Sequence, residues 1–228
     1  IHSPIRRELI GDGEARPLDA VAWRCMSTPP PGVDVLDEAR QVWGRGGEFG
    51  WVPLSDGRVY WFAAERLRPE AEHPGGRIGE LVERFGGWTP EIEPLIAAAD
   101  EERILRTELL ARTAPRSWSR GPVALLGDSA HAMAPNLGQG ACQALEDAVV
   151  LGRVLTGAED PVRALREYSR ARVPRAKAVS AISEWTGSML YVNNGLLWRL
   201  RDLAFAAAPA TALRMQLDTV MRSRALLR

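Results

Sequence analysis

Apolar and polar positions alternate most regularly between residues 40 and 63. Phe49 to Leu54 and Arg58 to Ala63 flank Ser55-Asp56-Gly57, which predicts a β-hairpin. The alternation puts Glu48, Gly50, Val52, Tyr60 and Phe62 on one face, with Phe49, Trp51, Val59 and Trp61 on the other. Val21 to Cys25 and Arg40 to Trp43 fit further strands, separated by the turn Pro29-Pro30-Pro31-Gly32. The period then changes. Ile78, Leu81, Val82 and Phe85 recur at helical spacing, predicting helix over 76–99 with a second start at Thr89 (N-cap) and Pro90. Ile104 to Leu110 and Val123 to Leu126 read as strands, and Gly138 to about Leu155 as helix. Asp160-Pro161 caps one more helix, which Pro174 should kink or end. The rest, to about Arg228, is helical, with interruptions at Asn193-Asn194-Gly195 and near Pro209.

Composition narrows the class. The chain has 228 residues, enough for one large or two small domains, and no formal net charge at pH 7, which gives nucleic acid or an anionic membrane no electrostatic purchase. Lys177 is the one lysine among 29 basic residues. Cys25 and Cys142 are too few for a disulfide framework and sit in no metal-ligand spacing. No signal peptide is visible, and the apolar stretch from Leu203 to Leu213 is too short to span a bilayer. These features lead to the expectation of a reduced, cytoplasmic setting.

The chemistry concentrates at Gly127-Asp128-Ser129-Ala130-His131 and the segment Pro135-Asn136-Leu137-Gly138-Gln139-Gly140-Ala141-Cys142-Gln143-Ala144-Leu145-Glu146-Asp147-Ala148. A strand delivers an acid, and a glycine-rich loop opens a helix. The acid can accept hydrogen bonds from hydroxyl groups, while the unpaired N–H groups and positive end of the helix can hold an electron-rich group. This segment resembles the second FAD-binding motif of the single-component flavoprotein aromatic hydroxylases, the para-hydroxybenzoate hydroxylase-like family. The form is that of the branch with urate hydroxylase-, salicylate hydroxylase- and zeaxanthin epoxidase-like enzymes. Ile1-His2-Ser3-Pro4-Ile5-Arg6 resembles the end of the family's internal Asp-Gly motif.

The resemblance implies an α/β fold class: an α+β substrate domain, part of a Rossmann-like FAD-binding domain, and C-terminal helices. It implies boundaries at 1–15 (tail of the Asp-Gly motif), 16–112 (sheet-rich substrate domain), 113–172 (return to the FAD domain) and 173–228 (helices). The N-terminal G-x-G-x-x-G unit of such a domain is not found in these residues. The chain is therefore expected to be the C-terminal part of a longer protein. By itself it is expected to be inactive and prone to self-association.

The resemblance also implies roles. Asp128 would accept from a ribityl hydroxyl of FAD, and Gly138, Gly140 and Ala141 would present N–H groups to the flavin, with a side chain at Gly140 clashing. Pro135 would shape the loop beside the substrate, and Arg6 would brace the flavin loop or the NAD(P)H approach. Tyr60 falls where urate hydroxylase-like relatives place an active-site tyrosine and is the catalytic candidate. Glu48, Val52 and Phe62 share its face and, with Pro135, are expected to contact substrate. Glu48 stands where those relatives carry a substrate-binding arginine, which disfavours an anionic substrate such as urate. His131 is read as a structural hydrogen bonder, Cys142 as a small inert residue, and the arginines from Arg163 to Arg175 as a solvated helix face. The implied reaction is hydroxylation or epoxidation of an aromatic or unsaturated small molecule. NAD(P)H and O2 would supply it through a flavin C4a-hydroperoxide. A halogenase or reductase of related fold, or a truncated non-catalytic relative, remains the alternative.

Overall fold

The computed structural model of the chain describes residues 1–35, 38–69 and 73–209, with 211 and 218 besides. The chain forms two compact units: 1–18, 110–188 and 201–228 make one, and 19–109 with 189–200 make the other. The helix expected beyond Pro209 lies largely outside the described residues.

The second unit is built on a five-stranded sheet. Its strands are β1 (Arg16–Ser27), β2 (Arg40–Gly44), β3 (Gly47–Pro53), β4 (Val59–Arg66) and β5 (Leu105–Ala111), in the order β2-β3-β4-β1-β5. The β3–β4 hairpin turns at 54–58, where Leu54 and Arg58 bond across the turn and Gly57 takes a φ of 82°. In its register Glu48 faces Ala64, Gly50 faces Phe62 and Val52 faces Tyr60.

Period-two alternation sorts the two faces physically. Phe49, Trp51, Val59 and Trp61 are all buried and form one core with Trp23, Leu81, Phe85, Ile92, Leu95 and Ile96. Phe49 stacks on Trp61 with ring centroids 5.6 Å apart. The covering layer is α2 (Gly76–Leu81), a π-helical turn (Val82–Gly86) and α3 (Ile92–Ala97). The predicted helix over 76–99 is thus interrupted. Thr89 is not the cap, because Trp88 and Pro90 lie in a turn and α3 starts at Ile92. The extra residue in the π-helical turn lets Phe85 reach Trp23 and Phe49, at centroid distances of 6.1 and 6.2 Å.

The first unit holds α1 (Pro4–Ile10), the short hairpin β6 (Ser119–Arg120) and β7 (Val123–Ala124), α4 (Asp128–His131), α5 (Gly140–Leu155) and most of α6 (Pro161–Leu190), with part of α7 (Leu197–Ala207). Ser3 caps α1 by accepting from the Arg6 N–H, Pro4 opens it, and Gly11 closes it with a left-handed φ of 68°. Asp160 caps α6 as predicted, accepting from the N–H groups of Val162 and Arg163. Pro174 does not end that helix, which runs on to Leu190 with Pro174 exposed on its surface. The strand expected over Val123 to Leu126 is confined to Val123–Ala124, with the Leu125 N–H still bonded to the Trp118 carbonyl, and α5 begins at Gly140 rather than Gly138. Gly138 instead closes a 3-10 turn (Pro135–Leu137) in the left-handed region, which a helical residue cannot occupy. The core here is Trp118, Leu125, Ala130, Val150, Tyr168, Val173 and Ala176.

Trp61 has no exposed surface and lies at the centre of the sheet's core. Trp61→Ala should destabilise the protein by about 3–5 kcal/mol, read as a lower urea midpoint.

Candidate functional site

Gly127 turns the chain out of the β7 strand with φ 57° and ψ −143°, a conformation essentially restricted to glycine. A Cβ there would also crowd Ala144, at 3.3 Å. The Gly127 carbonyl accepts from the N–H groups of Ala130 and His131, at 2.8 and 2.9 Å, and its own N–H donates to Asp147 Oδ2 at 2.8 Å. This geometry delivers Asp128 to the surface. Its carboxylate is exposed and has no hydrogen-bond or ion-pair partner among the described residues. It caps nothing, so its own loop does not account for the acid.

One buried carboxylate anchors the arrangement. Besides Gly127, Asp147 meets His131 Nε2 at 2.6 Å and accepts from Arg172 Nε at 2.7 Å. Burial alone would raise its pKa, but His131, Arg172 and the Gly127 N–H outweigh it and hold the carboxyl below the ordinary aspartate value. Arg172 also donates to Glu146 Oε2 at 2.6 Å and to Gln143 Oε1 at 2.8 Å, and Gln143 donates back to Glu146. Arg172 has no exposed surface, so the expectation of a solvated arginine face fails there. Arg163, Arg166 and Arg170 are exposed as expected, but Arg172 points along the inner face of α6, one turn on from Tyr168 and beside Val173. The local signal was Arg172 at helical spacing from the buried Leu165, Tyr168 and Val179.

His131 is fully enclosed and packs on Trp118, with ring centroids 5.1 Å apart. Its Nδ1 has no partner. A residue so enclosed braces the loop and does not reach a substrate.

Arg6 braces the same loop from α1. Its guanidinium donates to the carbonyls of Ser129 (3.0 Å), Ala130 (3.0 Å) and Thr113 (2.8 Å) and pairs with Asp12. The side chain is wholly buried, so its donors are occupied by the protein.

The start of α5 is open. The first N–H on that helix to find an acceptor is that of Gln143, bonded to Gln139 at 2.8 Å; those of Gly140, Ala141 and Cys142 have none among the described residues. A Cβ built at Gly140 or Gly138 meets no atom of the chain within 4 Å. The clash expected at Gly140 therefore does not arise within the chain, whose own packing leaves that glycine unexplained. Pro135, Gly138, Ala141 and Cys142 are all exposed around the opening. Exposed unpaired N–H groups, a cradle that a side chain would fill and an unpartnered carboxylate fit a polar cofactor with hydroxyl donors and electron-rich edges.

In the second unit, Glu48, Gly50, Val52, Tyr60 and Phe62 share the sheet face opposite the helices. Gly50 lets the Phe62 ring lie against the β3 backbone, where a Cβ would collide with it. Tyr60 and Phe62 sit 6.3 Å apart at 34°. Both are half-buried, and Val52 is exposed. Glu48 is 3% exposed and hydrogen-bonds Gln41. Burial pushes its carboxyl up to about 7, against a weaker opposing pull from Gln41.

These features define a mixed helix–sheet fold with an open helix start beside an unpartnered acid. The FAD binding domain family matches residues 89–183. The chain is 40% identical over 204 residues to an aurachin C monooxygenase/isomerase from Stigmatella aurantiaca, covering 89% of this chain and 52% of that protein. It is 34% identical over 178 residues to a FAD-dependent urate hydroxylase from Klebsiella oxytoca, covering 77% and 46%. A crystal structure of Klebsiella pneumoniae HpxO complexed with FAD and uric acid superposes with a TM-score of 0.86 at 29% identity, over 96% of this chain and 57% of that one. The chain spans about half the length of these relatives. Residues 89–183 thus match an FAD binding domain, and the chain is similar to FAD-dependent hydroxylases and monooxygenases over about half their length. Among the described residues no helix is long and apolar enough to cross a membrane.

Two stability measurements test this account. Arg172→Met would leave Asp147 and Glu146 buried without their cation, and should cost about 3–5 kcal/mol by urea unfolding. At Glu48 the sign is opposite. A carboxyl held up to about 7 by burial costs no stability below the ordinary glutamate range and carries its full cost above about 7. Glu48→Gln should therefore stabilise the protein at pH 8, by on the order of 1–3 kcal/mol, and be neutral at pH 4.

Proposed function

We propose that the protein containing this chain is an FAD-dependent monooxygenase that hydroxylates or epoxidises an aromatic or unsaturated small molecule, using NAD(P)H and O2. The observation that carries the reading is the open start of α5 beside the unpartnered Asp128. Bound FAD would supply the redox chemistry, taking electrons from the nicotinamide and activating oxygen. The chain's own residues bind and orient. Asp128 accepts a hydrogen bond from a hydroxyl of the cofactor's ribityl chain. The N–H groups of Gly140 and Ala141 donate to the electron-rich edge of the ring system, and the α5 dipole favours negative charge there by about 0.3–1 kcal/mol. Gly138 and Pro135 shape the approach. Arg6 acts one step back, through the Ser129 and Ala130 carbonyls it holds.

The sheet face of the second unit takes the substrate in this reading. Phe62 and Tyr60 offer an aromatic surface, Val52 an apolar edge, and Tyr60 a hydroxyl able to orient a polar substituent. This chemistry suits a flat, unsaturated molecule. The relative named urate hydroxylase is consistent with a ring substrate, and a cytoplasmic location is part of the proposal.

The test is FAD affinity in the full-length protein. Asp128→Ala should weaken FAD binding roughly 10- to 100-fold, by loss of a charge-assisted hydrogen bond of about 1.5–3 kcal/mol. Because Asp128 has no protein partner, the apoprotein's stability should change by under about 1 kcal/mol. Undiminished affinity, read by flavin fluorescence titration, would remove Asp128 from the cofactor site.

A further inference from the structure

Glu48 is the group on the sheet face whose position the packing of the fold does not explain. It lies in β3 between Phe49 and Gly47, opposite Ala64, on the face that carries Phe62 and Tyr60 rather than on the helix-covered one. Its residue is 3% exposed, yet only one of its oxygens has a partner: Gln41 Nε2 donates to Oε2. No described residue donates to Oε1, which is not among the fully enclosed unpartnered atoms. No arginine or lysine among the described residues pairs with it. A carboxyl group in this state is costly to bury, and a ligand that donates a hydrogen bond to Oε1 would offset that cost.

The charged and titratable groups around it are few. Gln41 comes from β2, and Tyr60 lies on β4. Arg24 of β1 sits opposite Phe62, two strands away from Glu48. Tyr191, from the segment after α6, feels Glu48 directly: burial first, then the Glu48 charge, raise its phenol pKa. Tyr191 therefore stays neutral and adds no charge beside the acid. The arrangement is an aromatic surface with a hydrogen-bond-accepting acid at one end.

Resting on the substrate-face reading above, we propose that Glu48 is a specificity-determining residue: its Oε1 accepts a hydrogen bond from an uncharged ring N–H or O–H of the substrate, and its charge excludes substrates that present a carboxylate there. The substrate class is a neutral aromatic or heteroaromatic N–H or O–H donor. A carboxylate at that position would stand beside a buried like charge with no cation between them, a strongly unfavourable arrangement. Because the Glu48 carboxyl is pushed up to about 7, the exclusion should strengthen as pH rises through neutrality.

The experiment uses the full-length FAD holoenzyme and two probes, 2-naphthol and 3-hydroxy-2-naphthoate, which share a ring system and differ in one carboxylate. Dissociation constants come from the perturbation of the flavin absorption spectrum. The wild type should prefer 2-naphthol, by a ratio rising about tenfold between pH 6 and pH 8 while both probes keep their charge. Glu48→Gln keeps the shape and the Gln41 contact. It should lower that ratio about tenfold at pH 8 and flatten its pH dependence. Glu48→Gln with an unchanged ratio and unchanged pH slope would overturn the proposal. Tyr60→Ala and Phe62→Ala separate this failure from that of the underlying reading. If they weaken both probes while Glu48→Gln alters nothing, only the role of Glu48 falls. If neither weakens either probe, the substrate face itself is wrong, and this proposal falls with it.

Discussion

The buried Asp147 carboxylate is the interaction on which the first unit depends. One side chain on α5 ties down the Gly127 N–H, the His131 ring and the Arg172 guanidinium, and so joins a loop, a helix start and a second long helix at a single point. Hydrogen bonds to a buried charge are strong, and leaving one unmade is expensive. The loop carrying Asp128 therefore has one well-determined shape before any ligand arrives. Arg6 secures the other side of the same loop through two consecutive carbonyls. The exposed Asp128 and the α5 N–H groups without acceptors among the described residues stand on this hydrogen-bonded support.

Much of this was legible in the sequence, for reasons that differ from residue to residue. The β3–β4 hairpin was readable because strict alternation and a Ser-Asp-Gly turn encode it locally, and the four residues assigned to one face are all buried in one core. Asp160-Pro161 was readable because capping is a local interaction. Where the reading failed, a tertiary contact decided. The π-helical turn at 82–86 answers to the packing of Phe85 against Trp23 and Phe49, which no heptad-scale pattern contains. Pro174 sits within α6 because its ring faces outward and 30 residues of helix are held elsewhere by packing. Arg172 read as one of several surface cations because charge alone does not reveal which face of a long helix is turned inward.

The candidate site divides along the same line. The glycine and acid of the loop were legible, since a conformation open only to glycine and an acid after a strand leave a compact sequence signature. The support beneath them was less so: Glu146 and Arg172 are 26 positions apart and meet only in three dimensions. Arg6 and Ser129 are separated by 123. Pairs of that span carry no local periodicity to read.

Asp147 and Glu48 show the same residue chemistry under opposite boundary conditions. Both are buried acids. Asp147 is surrounded by donors and one cation, so its proton is released more easily than usual; Glu48 has a single amide partner, so its proton is held up to about 7. The first arrangement stabilises the fold and leaves nothing to bind. The second carries an uncompensated desolvation cost in the folded chain, and a site retains such a cost where an incoming donor can relieve it. The contrast also explains why Gly140 and Glu48 belong to one argument, although they lie in different units. Each is a position where the chain's own contacts fail to account for the residue present: a glycine with empty space where a side chain would fit, and an acid with an oxygen lacking a donor. Residues whose reasons are missing from the protein's own packing are the ones whose reasons are to be sought in what the protein binds.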